Sequence, residues 1–584
     1  MAEQLQTIAK RLQNLPPVRL GIWIALVILL TTGVLAAIGY LLGPPVVEGL
    51  YHGDLPGPLR EIRIASGRNK EPIAVYYDWL YFSLHWIVGA GIAWAGAALA
   101  TGYVLKRRES GKTLPVRQAT ASVIALCAVA LLIIATVVLE RFPNSADEYA
   151  YLFQAETLAR GQLWNEATPL PDHFRFIHIA QRDGKWVSRF PPGWPAMLSA
   201  LAWARIPMWL LNPSMGLVVL GLAVLLFTEL GLKRAAPIAV AALATSPFFL
   251  FNAASYFNHV SCLAFLMVAA WLATRYRKNG ATSEALGVGL ALGIAFTIRY
   301  YTAALVAVPL LFYLVSAQPH RRHRAVVFVC LGGALPVALL LAYQAAITGS
   351  PWLMVTRWVD PTEGLGFVKG HTPVRAVEAL ILHLGRLVVW ASPALLFLLA
   401  GIAWSRKASV WVWVAIGAFV ACLLGHAFYY NIGGNQYGPR FYFEGWALAT
   451  LGAVAWAFQD QSVTAQRLPR FAVLFAVFAG VFTLPLHAYH EHRVVEERLD
   501  LQRLVEREKL EDAIVIVSDG TGVARRMPPY DLTRNGTALD GEILYVLDLG
   551  ADTPQHLRAH FPKRQLFRYR RAPGEVHGTL TREP

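Results

Sequence analysis

The sequence predicts an all-α polytopic membrane protein that ends in a small α/β unit. Three observations predict it. The 584 residues are 56% hydrophobic and only 15% charged, where soluble chains carry roughly 25% charged residues. About thirteen apolar runs approach the roughly 20 residues that cross a bilayer. After residue 489 the character changes: "AIVIVSD" and "EILYVLDL" are strand-like, "TPQHLRAHF" is helix-like, and "RQLFRYRR" fits a last strand.

The expected spans are 20–42, 76–104, 119–139, 213–231, 235–252, 258–275, 284–298, 301–317, 325–347, 387–404, 409–428, 441–458 and 471–488. The segments 194–211, 284–298 and 301–317 also fit half-helices. No short apolar core with a small-residue cleavage site precedes the first span, so it is expected to be retained. Basic groups at Lys10, Arg11, Arg19, 106–112, Lys233, Arg234, 275–278, 320–324, Arg406, Lys407, Arg467 and Arg470 fall at every second connection. This bias places them, and the N-terminus, in the cytoplasm. Thirteen spans then put the C-terminus outside, in the periplasm if the membrane is a bacterial inner membrane. Eighteen Trp and 22 Tyr suit its interfacial belts. The net charge of +15 is accounted for by this topology, so no nucleic-acid partner is expected. Cys127, Cys262, Cys330 and Cys422 lie in apolar runs and read as small buried hydrophobes.

Three parts are expected: 1–118, a cytoplasmic segment and two extra spans; 119–488, a transmembrane catalytic module with an outer loop at 140–211; and 489–584, the extracytoplasmic unit. A second outer loop spans 348–386. "RFPNSADEYAYLFQAETLARGQL" opens the first loop directly after a span. Ser145 and Glu148 fit a capping box, and Asp147 suits the positive end of a helix. Tyr149, Leu152, Phe153 and Leu158 form a stripe expected of an interfacial helix that stops at Gly161. Capping does not require Asp147, nor does it explain an acidic pair at the bilayer surface. Further on, "FRFIHI" and "KWVSRF" alternate around "RDGK" as a hairpin, and Arg175, His178, Lys185 and Arg189 make this loop basic. Either an ordinary solvated loop or an anionic phosphate substrate accounts for that charge.

Polar groups elsewhere fall on the same side. Arg299 sits at the apex of the apolar hairpin "FTIRYYTA", where an unpaired arginine is costly. Asn258 and His259 open a span, as a cap or as site residues. In "NQYGPRFYFEGW", Arg440 and Glu444 are spaced to pair at i,i+4.

Taken in order, "DEYAYLFQAETLARGQL", "DGKWVSRFPPGWP", "TIRYYTA" and "YGPRFYFE" resemble the GT-C superfamily of integral-membrane glycosyltransferases. The likeness covers about 119–458 and is nearest to bacterial relatives of protein O-mannosyltransferases and lipid A aminoarabinose transferases. It implies a sugar donor on a polyprenyl phosphate and an envelope glycan, glycolipid or protein acceptor reached from outside. It implies Asp147 as general base, in line with a hydroxyl's need for a positioned proton acceptor. Glu148 would cap, orient the acceptor or assist a metal. Arg299, Arg440, Arg189 and His259 would neutralise the leaving phosphate. Arg175, His178, Lys185 and Tyr437 would line the substrate loop, with Asp360 and Glu363 as helpers. A divalent metal is left open. The rival expectations are a lipid-linked-glycan flippase or transporter, with charged sites near the midplane, and an O-antigen-type ligase. The ligase would rely on arginine and histidine and would not need the Asp-Glu step.

Overall fold

A computed structural model describes residues 12, 14–52, 73–109, 114–316, 319–392, 395, 398–402, 408–430, 436–459, 467–518, 532–571 and 577–584. The chain begins with α1 (Pro17–His52), α2 (Ile73–Glu109) and α3 (Val116–Ile133), the last continuing through a π-turn, Ile134–Val138. The outer loop contributes α4 (Ala146–Ala159), β1 (Asn165–Glu166), β2 (Ile179–Arg182), β3 (Lys185–Ser188) and α5 (Gly193–Trp203). Next come α6 (Leu211–Glu229), α7 (Ala236–Ala244), α8 (Pro247–Ala254), α9 (His259–Asn279), α10 (Thr282–Ile298), α11 (Tyr300–Ser316) and α12 (Arg322–Thr348). After the short α13 (Val355–Val359) follow α14 (Pro373–Ala391), α15 (Val410–Ala427), α16 (Phe443–Phe458) and α17 (Arg467–Arg507). The tail is β4 (Ala513–Val517), β5 (Ile543–Leu547), α18 (Thr553–His560), β6 (Gln565–Arg570) and β7 (Thr579–Arg582).

The chain is an integral membrane protein. Eight helices among the described residues are long and apolar enough to cross a bilayer, or nine if the bent pair ending in α7 and α8 forms one span. That count differs from the expected thirteen for identifiable reasons. The run 235–252 is not straight but turns by 68° at the break before Pro247. The runs 284–298 and 301–317 are separate helices of 17 residues each, parted at Arg299 by a non-helical backbone (φ −146°, ψ 76°). Each is shorter than the roughly 20 residues that cross a bilayer. Part of 387–404 lies outside the described residues, as do Lys10, Arg11, Arg406 and Lys407.

α9 and α16 are buried nearly all round, as expected of helices at the centre of a bundle. Close helix contact in lipid depends on small residues rather than on a hydrophobic drive, and α10 meets α12 in this way. A Cβ on Gly289 would lie 1.9 Å from the Val329 carbonyl oxygen, and one on Gly332 would lie 2.0 Å from that of Leu286. The two backbones therefore touch at these positions.

Outside the bundle, the expected hairpin forms. β2 and β3 pair antiparallel with Arg182 opposite Lys185, and the two-residue turn places Asp183 and Gly184 at φ 51° and 72°, suited to strand twist. β1 adds a third strand against β3. In the tail, all four expected elements are present, with β7 as a further edge strand. The order is β5-β4-β6-β7, parallel except for the β6–β7 pair. α17 runs unbroken for 41 residues across the expected boundary at 489, a rod of roughly 60 Å at 1.5 Å per residue. Phe174 of the outer loop is 1% exposed among Ile514, Ile516, Leu544 and Val546, so loop and tail share one core.

Gly332→Leu is expected to destabilise the protein by about 3 kcal/mol, since a side chain there must push two backbones apart. Thermal unfolding in detergent, compared with the same change at the open Gly221, measures it.

Candidate active site

The first turn of α4 is the starting point. Ser145 caps it, its Oγ accepting from Glu148 N–H at 3.2 Å. Only this half of the capping box forms. The Glu148 carboxylate turns inward instead, and its Oε1 accepts the Tyr256 N–H at 2.8 Å. The expected stripe also differs: α4 buries Ala150, Tyr151, Phe153, Gln154 and Ala155, because hairpin and tail grip it on more than one side. Gly161 does end it, at φ 75°.

Asp147 is partly exposed and lies between two cation-forming groups. His178 Nε2 is 2.9 Å from Oδ1, and both terminal nitrogens of Arg440 are 3.3 Å from Oδ2. His178 arrives on the hairpin, where its carbonyl accepts from Arg189 N–H at 3.0 Å. Arg440 arrives after a break: Gly438 takes φ 85°, Pro439 follows, and Arg440 opens a 3-10 turn. Its guanidinium lies 3.6 Å from the centre of the Phe257 ring, which holds the plane in place.

Arg440 does not pair with Glu444. Glu444 Oε1 lies 3.0 Å from Arg299 Nε instead. Arg299 uses its other nitrogens on Asn258 Oδ1 at 3.2 Å, His259 Nε2 at 3.2 Å and Thr302 Oγ1 at 3.0 Å. His259 thus accepts through Nε2. The intramembrane arginine thus finds partners for both terminal nitrogens, with its Nε facing the Glu444 carboxylate, at the junction of α9, α10, α11 and α16. A third pair joins the two outer loops: Arg189 Nη2 donates to Glu363 Oε2 at 2.8 Å, and Glu363 also accepts from Tyr429 at 2.5 Å and Tyr430 at 2.7 Å.

Asp147, Glu148, His178, Arg189, His259, Arg299 and Arg440 therefore meet at one end of the bundle. Of the remaining expected residues, Glu363 joins them through Arg189 and Asp360 pairs with Lys369, while Arg175, Lys185 and Tyr437 stand apart. Arg175 is exposed. Lys185 donates to the Ala346 and Ile347 carbonyls at 3.0 and 2.6 Å, closing the end of α12. Tyr437 is 0% exposed, stacked near Phe251. Among groups the sequence reading passed over, Tyr151 stands one turn after Asp147, against Phe190; the i,i+4 spacing was its only signal. Tyr429, Tyr430 and Lys369 carried none.

Burial would raise the Asp147 carboxyl, but His178 and then Arg440 outweigh it and hold the group well below the usual carboxylate range. Glu148 goes the other way. Burial lifts it to about 7, despite the Tyr256 N–H and Arg440. For the divalent metal left open above, the donor set does not fit. Both Asp147 oxygens face cation-forming groups, and no three His, Cys, Asp or Glu side chains among the described residues are grouped to hold a metal ion.

Glu148 sets a pH dependence. Its folded value lies above the ordinary 4.5 at about 7, so the folded state binds the extra proton between these values. Stability from this group then falls as pH rises through that window, by up to about 3 kcal/mol. Glu148→Gln is expected to flatten the slope, as measured by thermal unfolding at pH values from about 5 to 8.

Comparison with known proteins bears on part of the chain. Residues 196–345 match the family model of the dolichyl-phosphate-mannose-protein mannosyltransferases, a stretch that carries His259 and Arg299 but neither Asp147 nor Arg440. No curated protein matches in sequence. Among solved structures, ArnT from Cupriavidus metallidurans bound to undecaprenyl phosphate aligns over 76% of this chain and 93% of its own, with 13% identity and TM-score 0.48. Its apo state aligns over 76% and 89%, with 14% identity and TM-score 0.46. The Archaeoglobus fulgidus oligosaccharyltransferase in complex with Zn and sulfate aligns over 68% and 60%, with 12% identity and TM-score 0.37. Likeness at this level assigns no residue a role. Over the matched residues, the chain is similar to the membrane glycosyltransferases that its motifs resemble.

Proposed function

We propose that the protein is an inverting glycosyltransferase. It moves a sugar from a polyprenyl-phosphate donor to a hydroxyl acceptor at the outer face of the inner membrane, with Asp147 as general base. The observation that carries this reading is the half-open Asp147 carboxylate, fixed from two sides at the end of the bundle where three arginines collect. The match over 196–345 to a family that uses a lipid-phosphate sugar supports the donor class. A transporter reading fares worse, because the charged groups gather at one end of the helices rather than at the midplane.

In this reading, the acceptor hydroxyl donates its proton to Asp147 as its oxygen attacks the anomeric carbon. The bond to the lipid phosphate breaks on the opposite side, inverting the centre, and the phosphate leaves with the electron pair. A carboxylate held so low is always ionised but is a weak base. The Arg440 contacts suggest a remedy: at 3.3 Å they are longer than the roughly 2.7–2.9 Å of strong charge-assisted bonds. A donor phosphate would draw Arg440 away and so ease one of the two holds on the base when substrate is present, with His178 left in place. Arg189 faces the same phosphate from the hairpin. Arg299 and His259, engaged with Glu444 and Asn258, supply fixed positive charge and donors behind it. Glu148 orients the helix start through Tyr256.

Asp147→Asn keeps size and helix-start polarity and removes the base. Transfer by the purified variant in nanodiscs, from a panel of polyprenyl-phosphate sugars to envelope extract, is expected to fall by about 10²- to 10⁴-fold, with donor binding retained. Transfer equal to that of an active wild type would show that Asp147 is no base.

A further inference from the structure

Glu363 is one acceptor with an unusual number of donors. Arg189 at 2.8 Å, Tyr429 at 2.5 Å and Tyr430 at 2.7 Å all donate to it, and Lys369 Nζ lies 3.8 Å away. The carboxylate is 6% exposed. These donors come from three separate places: the hairpin, the end of α15 and the second outer loop itself. Two cations and two phenols converging on one buried point form a recognition site for a small oxyanion. Here the chain's own carboxylate fills it.

We infer that Glu363 is an internal stand-in for a phosphate group, and that the cradle of Arg189, Lys369, Tyr429 and Tyr430 takes the donor's phosphate when the Glu363 side chain rotates out. The inference deepens the donor reading above and rests on it. Three features of the fold make the exchange feasible. First, the cradle adjoins the candidate base: Arg189 N–H bonds to the His178 carbonyl at 3.0 Å, and His178 lies 2.9 Å from Asp147. Second, the segment around Glu363 is held by polar contacts more than by apolar burial. Its Leu365 and Phe367 are 54% and 51% exposed, and Gly366 and Gly370 sit at φ 96° and 73°, where glycine keeps the backbone free to re-hinge. Third, Lys369 already has a second carboxylate, Asp360, so a departing Glu363 leaves only Arg189 to be matched by the incoming phosphate.

The donors also keep Glu363 ionised. Burial alone would raise its carboxyl, but the two tyrosines and Arg189 hold it below its ordinary value. A stand-in must carry the charge that it imitates.

The test is binding rather than turnover. Full-length protein in nanodiscs is titrated with decyl phosphate and, separately, with inorganic phosphate, followed by calorimetry. Glu363→Gln, which removes the competing negative charge and leaves the two cations, is expected to bind decyl phosphate roughly tenfold tighter than wild type. Glu363→Asp, one methylene short of the donors, is expected to fall between the two. Adding Tyr429→Phe and Tyr430→Phe to Glu363→Gln should abolish the gain. A matching gain for inorganic phosphate would show that the cradle takes the bare phosphate group. A gain confined to decyl phosphate would show that it takes a lipid-anchored one, and either supports the inference. Unchanged or weaker binding of both ligands by Glu363→Gln and Glu363→Asp, each unfolding at the wild-type temperature, would overturn it. The two readings fail separately: a wild type that transfers sugar while these variants gain no affinity sinks only the cradle. A tighter-binding Glu363→Gln beside a wild type inactive with every donor sinks the transferase.

Discussion

Asp147 is the constraint on which the rest of the arrangement depends. It joins His178, in the first outer loop, to Arg440, which lies 293 residues beyond Asp147 itself. A carboxylate at the first turn of α4 gains from the helix end, but that contribution is small beside two partly buried contacts to cation-forming groups. With Asp147 in place, the hairpin cannot drift from the start of α16, and Phe257 beneath Arg440 fixes the third side. The result is a carboxylate that is ionised, partly open and unable to rotate freely. These are the properties of a positioned group rather than of a surface ion pair.

The tail holds the same spot from outside the membrane. Arg498 on α17 donates to the Asn144 carbonyl at 2.5 Å, and Arg534 donates to that of Pro143 at 2.7 Å. The Tyr149 hydroxyl donates to the Asn535 carbonyl. These bonds satisfy backbone oxygens just ahead of α4, where the chain leaves α3 and has no helix partners of its own. The α/β unit thus acts as a brace on the two residues that precede the Ser145 cap. Its shared core with Phe174 ties the hairpin to the same support.

What the sequence made legible was local, and what it hid depended on distant partners. The tail strands were readable because short β-branched runs stand between turn residues. β7 was not, since "TLTR" is short and largely exposed. Hydropathy gave the apolar runs but could not see the 68° turn before Pro247. Arg299, Arg440, His259 and the acidic pair were found because a charge at a helix end in lipid is costly wherever it lies. Their pairing was misread. An i,i+4 bond between Arg440 and Glu444 needs both residues on one α-helix, yet Arg440 lies in the 3-10 turn before α16 begins at Phe443. Likewise, Glu148 fits a capping box by spacing. The Tyr256 N–H, supplied by the end of the bent pair, is a competitor that no local pattern reveals.

The partner choices, once known, follow one pattern. Arg440 faces Asp147, Arg299 faces Glu444, and Arg189 faces Glu363. Each of these three arginines is thus matched by a carboxylate. A cluster of bare cations at a membrane surface would be expensive to bury and would hold any passing lipid headgroup. Pairing removes both problems, but it also means that an anion can enter only by exchange. The three pairs differ in how readily they can yield. Arg299 is hydrogen-bonded through both terminal nitrogens, and Glu444, 3.0 Å from its Nε, is 0% exposed, so that pair is fixed. Arg440 makes two long contacts to a carboxylate that solvent reaches, and Arg189 a single contact from one terminal nitrogen. A phosphate arriving from the bilayer would therefore meet one immovable charge and two exchangeable ones. If Asp147 is the proposed base, exchange at Arg440 leaves it held by His178 alone, so that donor binding and the easing of one hold on the base become one event.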